Sequence, residues 1–185
     1  MEPKQPIPKP HWWEHFILIG VALIMTSLDQ LSKRLIEMNI PIGFTIAPIE
    51  AISPYLTLTH TQNTGAAFSL FRDGNIFFIL VAIVVSLVIV YYAPRLPKGD
   101  WISRVALGLQ LTGALGNLID RLRQGFVTDW IHFQIPQINF DWPVFNVADS
   151  SIFVGVIILI VVTLWRDRAM ARQLKAEEDL PSVGA

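Results

Sequence analysis

The apolar residues of this chain come in blocks separated by polar, turn-rich segments. The clearest block is Ile76 to Ala93, where Ser86 is the one polar side chain. Its 18 residues approach the ~20 that a helix needs to cross a bilayer. Phe16 to Leu28 is shorter, and reaches membrane length when Trp12, Trp13 and a turn around Asp29 are included. Ile102 to Ile119 carries Arg104, Gln110, Thr112 and Asn117 within an apolar frame. Ile152 to Trp165 extends backwards through Ser150 and Ser151. The pattern predicts four transmembrane helices, with Pro94 and Pro97 ending the second.

Between the blocks the period changes. Tyr55 to His60 alternates apolar with polar residues, the pattern of a half-buried strand. Asn63-Thr64-Gly65 reads as a turn, and Ala66 to Phe71 as a short interfacial helix. Trp130 to Ile135 alternates more weakly. The segments 37–75 and 120–148 together predict a small sheet resting on the membrane surface. The expected fold is therefore membrane all-α, with a small outward-facing β-sheet and a short interfacial helix. Residues 1–185 form one integral membrane domain. Residues 1–11, with four prolines, are a disordered head; 15–165 hold the membrane core and outward segments; 170–185 form a tail, solvated and acidic from 176 onward.

Composition agrees with the blocks: 52% of residues are hydrophobic, and the mean hydropathy is +0.48. The net charge of -1 says little, but its distribution says more. With four spans both termini share a side, and 9 of the 14 Lys and Arg fall there. The positive-inside rule then puts both termini in the cytoplasm. Trp12, Trp13, Tyr91, Tyr92, Trp101 and Trp165 lie near the same boundaries, as interfacial aromatics do. Lys4 and Lys9 ahead of the first block resemble a signal peptide, but no small-x-small cleavage site follows, so a retained helix is expected. The chain has no cysteine, which excludes a thiol nucleophile and thiolate metal sites. Four scattered histidines give no ligand-like spacing. No metal, no cofactor and no nucleic-acid partner is expected.

Several polar residues at the block edges need explaining, because charge this close to hydrocarbon is expensive. Asp29 and Lys33, at i and i+4, read as a local ion pair near the outer end of the first helix, with Lys33 free to snorkel outward. Asn117, Asp120 and Arg121 share a helix face beside Gly113, Ala114 and Gly116. A packed helix end with Asp120 paired to an arginine explains the two charges; a site explains them as well. Asn63 is by itself a turn residue. Asp149, three after Asn146, suits a helix N-terminus. Asp129 has no such explanation: it sits among Phe126, Val127, Trp130 and Ile131, with no lysine or arginine within four positions. The third helix runs outward and the fourth returns, so Asp129 and Asp149 fall at one outer boundary. Two carboxyls held close share a proton, an arrangement that suits amide hydrolysis by an activated water.

The motifs Asp29-Gln30-Leu31-Ser32-Lys33, Asn63-Thr64-Gly65-Ala66-Ala67-Phe68, Gly116-Asn117-Leu118-Ile119-Asp120-Arg121, Val127-Thr128-Asp129-Trp130 and Phe145-Asn146-Val147-Ala148-Asp149 occur in one order over about residues 15–165. Together they resemble the lipoprotein signal peptidases (signal peptidase II) of bacteria. Trp130 stands where that family usually has Phe. The resemblance implies an aspartic endopeptidase of the bacterial cytoplasmic (inner) membrane, with its active site near the outer face. It implies cleavage of prolipoproteins on the amino side of a diacylglyceryl-modified cysteine. It also implies Asp129 and Asp149 as the catalytic dyad, and Asn63, Asn117, Arg121 and Asn146 as substrate-binding residues. Asp29, Lys33, Gly65 and Asp120 would support them. Prolipoproteins, membrane lipids and globomycin-type cyclic peptide inhibitors would be the ligands of a monomeric enzyme.

Two other classes use such carboxylates. A proton- or ion-coupled transporter would place charges at the midplane, in broken helices with inverted repeats; here the polar residues cluster at one boundary and no repeat is evident. A non-catalytic lipid-binding protein would tolerate loss of Asp129.

Overall fold

A computed structural model of the chain describes residues 11–65 and 74–178. The expected surface helix over Ala66 to Phe71, most of the head and residues 179–185 of the tail lie outside them. Four helices are long and apolar enough to cross a membrane: α1 (His15–Asn39), α2 (Gly74–Tyr92), α3 (Trp101–Gln124) and α4 (Val147–Glu178). Four strands complete the fold: β1 (Thr45–Ile46), β2 (Leu56–Asn63), β3 (Val127–Ile135) and β4 (Phe140–Asp141).

α1 includes the Asp29–Lys33 pair, as its i,i+4 spacing predicts, and continues to Asn39. The reason lies in its buried stripe, Leu18, Ala22, Asp29, Lys33, Ile36 and Ile40, which keeps helical spacing through the charged pair. α2 ends as expected, at Tyr92, with Pro94 in a short 3₁₀ turn. α3 runs past Ile119 and takes in Asp120 and Arg121. It begins at Asp100, whose Oδ1 accepts from the Ser103 amide at 3.2 Å. It stops at Gly125, which has φ 84 and donates its N–H to the Arg121 carbonyl. α4 continues beyond Trp165 to Glu178, so residues 170–178 of the expected tail are helical.

α3 is the hub. Half of its most apolar window is buried, against 6% for α2. Close approach depends on glycines. A Cβ on Gly108 would lie 2.9 Å from the Leu18 carbonyl of α1; on Gly113, 2.1 Å from Ile152 Cγ1 of α4; on Gly155, 2.9 Å from the Ala106 carbonyl of α3. The end of the bundle near the termini is locked by buried charge. Arg104 lies 3.2 Å from Glu14 and donates to the carbonyls of Leu96, Pro97 and Asp100. Asp100 pairs with Arg166 of α4 at 2.5 Å. Trp12, Trp13, Tyr91, Tyr92, Trp101 and Trp165 are all exposed around this end.

The sheet caps the other end. Its order is β1-β2-β3-β4, every pair antiparallel, and it draws on both outward segments, as the alternation predicts. β2 is longer than expected and includes Asn63. A β-bulge between Leu58 and Thr61 sets two residues, Thr59 and His60, against Trp130 alone. The extra residue inverts the facing of everything after it, so that Thr61 and Asn63, rather than Gln62, share a face with Asp129. His60 is buried and donates Nδ1–H to the Ile40 carbonyl at 2.7 Å, tying the bulge to the end of α1.

The α3–α4 seam yields a prediction. Gly113→Ala should overpack it and lower the stability of the purified protein by about 1–3 kcal/mol. Gly20→Ala, where nothing lies within 4 Å of an added Cβ, should leave the thermal midpoint in detergent unchanged or raised. Equal midpoints for the two variants would contradict the seam.

Candidate active site

The polar residues singled out from the sequence gather at the sheet end of the bundle. Lys33 is fully buried and does not snorkel. Its ammonium lies 2.8 Å from both Asp29 and Asp120 and donates to Asn117 Oδ1 at 3.1 Å. The expected Asp29–Lys33 pair is present. Asp120 is not paired with an arginine; its partners are Lys33, Gln30 and the Thr128 amide.

The two carboxylates beside Lys33 also do positional work. Asp29 Oδ1 accepts from the backbone N–H of Ala148 at 2.8 Å. Asp120 Oδ2 accepts from the N–H of Thr128 at 3.2 Å. Each therefore grips the amide one residue ahead of Asp149 or Asp129. Gly116 makes this possible, since a Cβ there would lie 2.5 Å from Asp29 Oδ2. Gln30 fills the remaining space, donating to Asp29, Asp120 and the Gly116 carbonyl.

Asp129 lies in β3 and is 2% exposed. Its carboxylate accepts from Asn63 Nδ2 at 2.9 Å and from Asn146 Nδ2 at 2.6 Å. The Asn63 contact is a diagonal cross-strand pair that the bulge creates. Asn63 also forms the expected turn, accepting from the Gly65 amide through Oδ1 at 2.9 Å. Gly65 has φ +77, and a Cβ on it would lie 2.5 Å from the Phe78 ring, which explains why glycine stands there.

Asn146, not Asp149, is the N-cap of α4. Its Oδ1 accepts from the Asp149 amide at 2.9 Å, and Asp149 Oδ2 accepts from the Asn146 amide at 3.2 Å, a reciprocal capping box. The other Asp149 oxygen accepts from Asn117 Nδ2 at 2.8 Å. Asn117 Oδ1 accepts in turn from Asn146 Nδ2 at 3.1 Å. Asn146 thus hydrogen-bonds to both Asp129 and Asp149. Burial, reinforced by the Asp149 charge, pushes the Asp129 carboxyl up to about 6, against the pull of its two asparagine donors.

Arg121 is buried beside this pair. It donates to Asn75 Oδ1 at 3.3 Å, and its guanidinium lies 4.6 Å over the Phe78 ring. A cavity of about 520 Å³ between α2, α3 and α4 is lined by Asn63, Asn117, Arg121 and Asp149 on one wall and Val81 and Val85 on the other. Sequence reasoning missed four contributors here. Asn75 and Phe78 orient Arg121; Asn75, a polar residue opening the most apolar helix, is the visible signal. Glu37 accepts from Thr128 Oγ1 at 2.8 Å and so holds β3 from the far end of α1; Thr128 is fully buried. Neither residue carries a local signal. Among the described residues no group of three or more His, Asp or Glu stands close enough to hold a metal ion.

Removing the Lys33 charge would leave Asp29 and Asp120 buried and uncompensated. Lys33→Met should cost about 3–5 kcal/mol, read as a large drop in thermal midpoint in detergent. A loss below about 1 kcal/mol, the range of surface pairs, would contradict the central position given to this ammonium.

The fold agrees with what the chain is similar to. Residues 21–165 match the family described as Signal peptidase (SPase) II. The chain is 41% identical over 144 residues to the lipoprotein signal peptidase of Bacillus subtilis (strain 168), covering 78% of this chain and 90% of that protein. It is 42% identical over 150 residues to the lipoprotein signal peptidase of Enterococcus faecalis (strain ATCC 700802 / V583), covering 80% and 88%. A bacterial membrane enzyme solved by the in meso method at 1.9 Å resolution superposes with a TM-score of 0.75 at 32% identity, covering 84% of this chain and 96% of that one. A second, solved at 2.3 Å, gives 0.72 at 31%, covering 86% and 93%. With its four apolar helices, its capping sheet and a family match across most of its length, the chain belongs to the signal peptidase II family of membrane peptidases.

Proposed function

We propose that Asp129 and Asp149 are the catalytic pair of this peptidase. The chain would act as an aspartic endopeptidase that cleaves prolipoproteins on the amino side of a diacylglyceryl-modified cysteine. The observation that carries the reading is Asn146, whose amide and backbone reach both carboxyls and so hold them as a pair. One carboxylate takes a proton from water as the water oxygen bonds to the scissile carbonyl carbon. The other carboxyl, still protonated, donates to the carbonyl oxygen. When the C–N bond breaks, the cysteine nitrogen takes up a proton from one carboxyl while a hydroxyl of the intermediate returns one to the other, so the pair again shares a single proton. The products are a free signal peptide carboxylate and a new α-amino group on the modified cysteine.

The remaining residues divide naturally. Asn117 and Asn146 align the carboxyls, leaving Asn63 and Arg121 to meet substrate amides in the cavity between α2, α3 and α4. Asp29, Lys33 and Asp120 hold the frame, and Gly65 leaves room for Phe78. Globomycin-type cyclic peptides would occupy that same cavity. The exposed aromatic ring near the termini and the basic residues there support a placement in the bacterial inner membrane. In it both termini are cytoplasmic and the site lies near the outer face. A monomer suffices, since every residue invoked comes from one chain.

Asp129→Asn and Asp149→Asn should each abolish cleavage of a lipidated substrate peptide, followed as product on a gel, while the purified variants keep a cooperative melt. Normal turnover by either would remove it from the pair.

The Asp129 carboxyl also predicts a titration. Its raised position means the native state holds that proton more tightly than the unfolded chain does. Its contribution to stability is therefore present at low pH and lost as pH rises from the ordinary carboxyl range through about 6. The ¹³C resonance of the Asp129 carboxyl should titrate near 6 and move lower in Asp149→Asn, where the second charge is gone. An unchanged midpoint in that variant would mean the two carboxyls do not feel each other.

A further inference from the structure

Asp149 lines a second cavity on its other side. This one, about 540 Å³, is a cup walled by Phe133, Phe140 and Trp142 of the β3–β4 region and by Phe145, Phe153 and Val154 at the head of α4. Three of its rings form a chain: Phe133 and Phe140 have centroids 6.5 Å apart, and Phe140 and Trp142 5.9 Å apart. The polar group at its floor, Ser150 Oγ, is already spent on the Asn146 carbonyl at 2.8 Å. Asp149 is the one charged residue of the lining. The two cavities therefore meet at this carboxyl, with opposite linings. The first is lined by the polar side chains of Asn63, Gln110, Asn117 and Arg121. The second offers hydrocarbon and aromatic faces.

We propose that the aromatic cup is the subsite for the acyl portion of a diacylglyceryl group, leaving the peptide to the polar cavity. The assignment rests on the peptidase reading above and adds which wall of the site takes which half of the substrate. A peptide laid in the cup would bury N–H and C=O groups with nothing to meet them, a cost of several kcal/mol per group in an apolar setting. An acyl chain carries no such groups. The cup is also continuous with the lipid-facing surface of α4, where Phe153 is 65% exposed and Val154 46% exposed in a helix of membrane-crossing length. A chain can enter sideways from the bilayer along that face. Hydrocarbon gains little by leaving one apolar medium for another. The cup's role is to keep the chain out of water while the glyceryl-cysteine rises to the carboxyls.

The test uses the full-length protein in lipid nanodiscs. Asp129→Asn is given a prolipoprotein peptide whose acyl chains carry a photoreactive diazirine, and adducts are mapped by mass spectrometry. A phospholipid bearing the same diazirine chain serves as the control for bulk lipid. Adducts enriched over that control within residues 133–154 support the subsite. Enrichment on Val81 and Val85 of α2 overturns it, and so does a map no different from the phospholipid's. Val154→Trp fills the cup from an exposed position; it should lower the adduct yield there and raise KM for the lipidated peptide several-fold with an unchanged melting midpoint. An unaltered KM and adduct yield in Val154→Trp likewise count against the subsite. Cleavage of the peptide by Asp129→Asn would instead strike at the catalytic pair, so the two readings fail separately.

Discussion

One buried ammonium organises the end of the bundle where the chemistry lies. Lys33 draws Asp29 of its own helix and Asp120 of α3 into contact at 2.8 Å each. A buried ion pair is weak evidence for stability in itself, because desolvation consumes much of the attraction. Its value here is geometric. Each carboxylate held by Lys33 also accepts from a backbone N–H: Asp29 through its other oxygen at the head of α4, and Asp120 through the same oxygen at the start of β3. Those amides immediately precede Asp149 and Asp129. A single cation thereby fixes the relative placement of two carboxyls that lie twenty residues apart in sequence and on different kinds of element. Asn117 extends the same influence, since it accepts from Lys33 and donates to Asp149.

Burial and the charge inventory of this region explain why the Asp129 carboxyl is pushed up. Among the described residues, four carboxyls (Asp29, Asp120, Asp129 and Asp149) face two cations, Lys33 and Arg121. Lys33 is committed to Asp29 and Asp120, and Arg121 is held back by Asn75 and Phe78. The pair at the centre is left with asparagine donors and a like neighbour. Neutral amides stabilise one ionised carboxyl well, but two adjacent ones poorly. The rise of the Asp129 carboxyl to about 6 follows from its burial and from this arrangement, without any special group dedicated to it.

Much of this was legible in the chain. The block pattern predicted four spans, because membrane helices must be apolar over a fixed length whatever they pack against. The alternation over Tyr55 to His60 and Trp130 to Ile135 predicted the sheet. The Asp29–Lys33 pair was visible as a helical spacing. What the sequence hid is what depends on partners distant along the chain. Asp120 looked like a mate for an arginine, yet its ammonium comes from α1. The first helix runs on beyond the Asp29–Lys33 pair expected near its outer end, because a charge met by Lys33 and the Ala148 amide is as comfortable in a helix interior as at its end. Asp149 looked like a cap; it is half of one, and Asn146 is the other half. Glu37 had no pattern to betray it, being an ordinary polar residue until the fold brings Thr128 alongside; Asn75 stood out only as a polar residue opening an apolar helix.

The bulge in β2 makes the site sensitive to arithmetic as well as to chemistry. With Thr59 and His60 standing opposite Trp130 alone, the strand changes parity, and only after that change does Asn63 point the same way as Asp129. Side-chain identity in the bulge matters less than the number of residues in it. An insertion or deletion of one there would send Asn63 to the opposite face while leaving every residue of the motif intact. An alignment of motifs would still score such a chain as complete. Along this edge, the family signature is a statement about phase, and residue counts between its letters carry as much information as the letters.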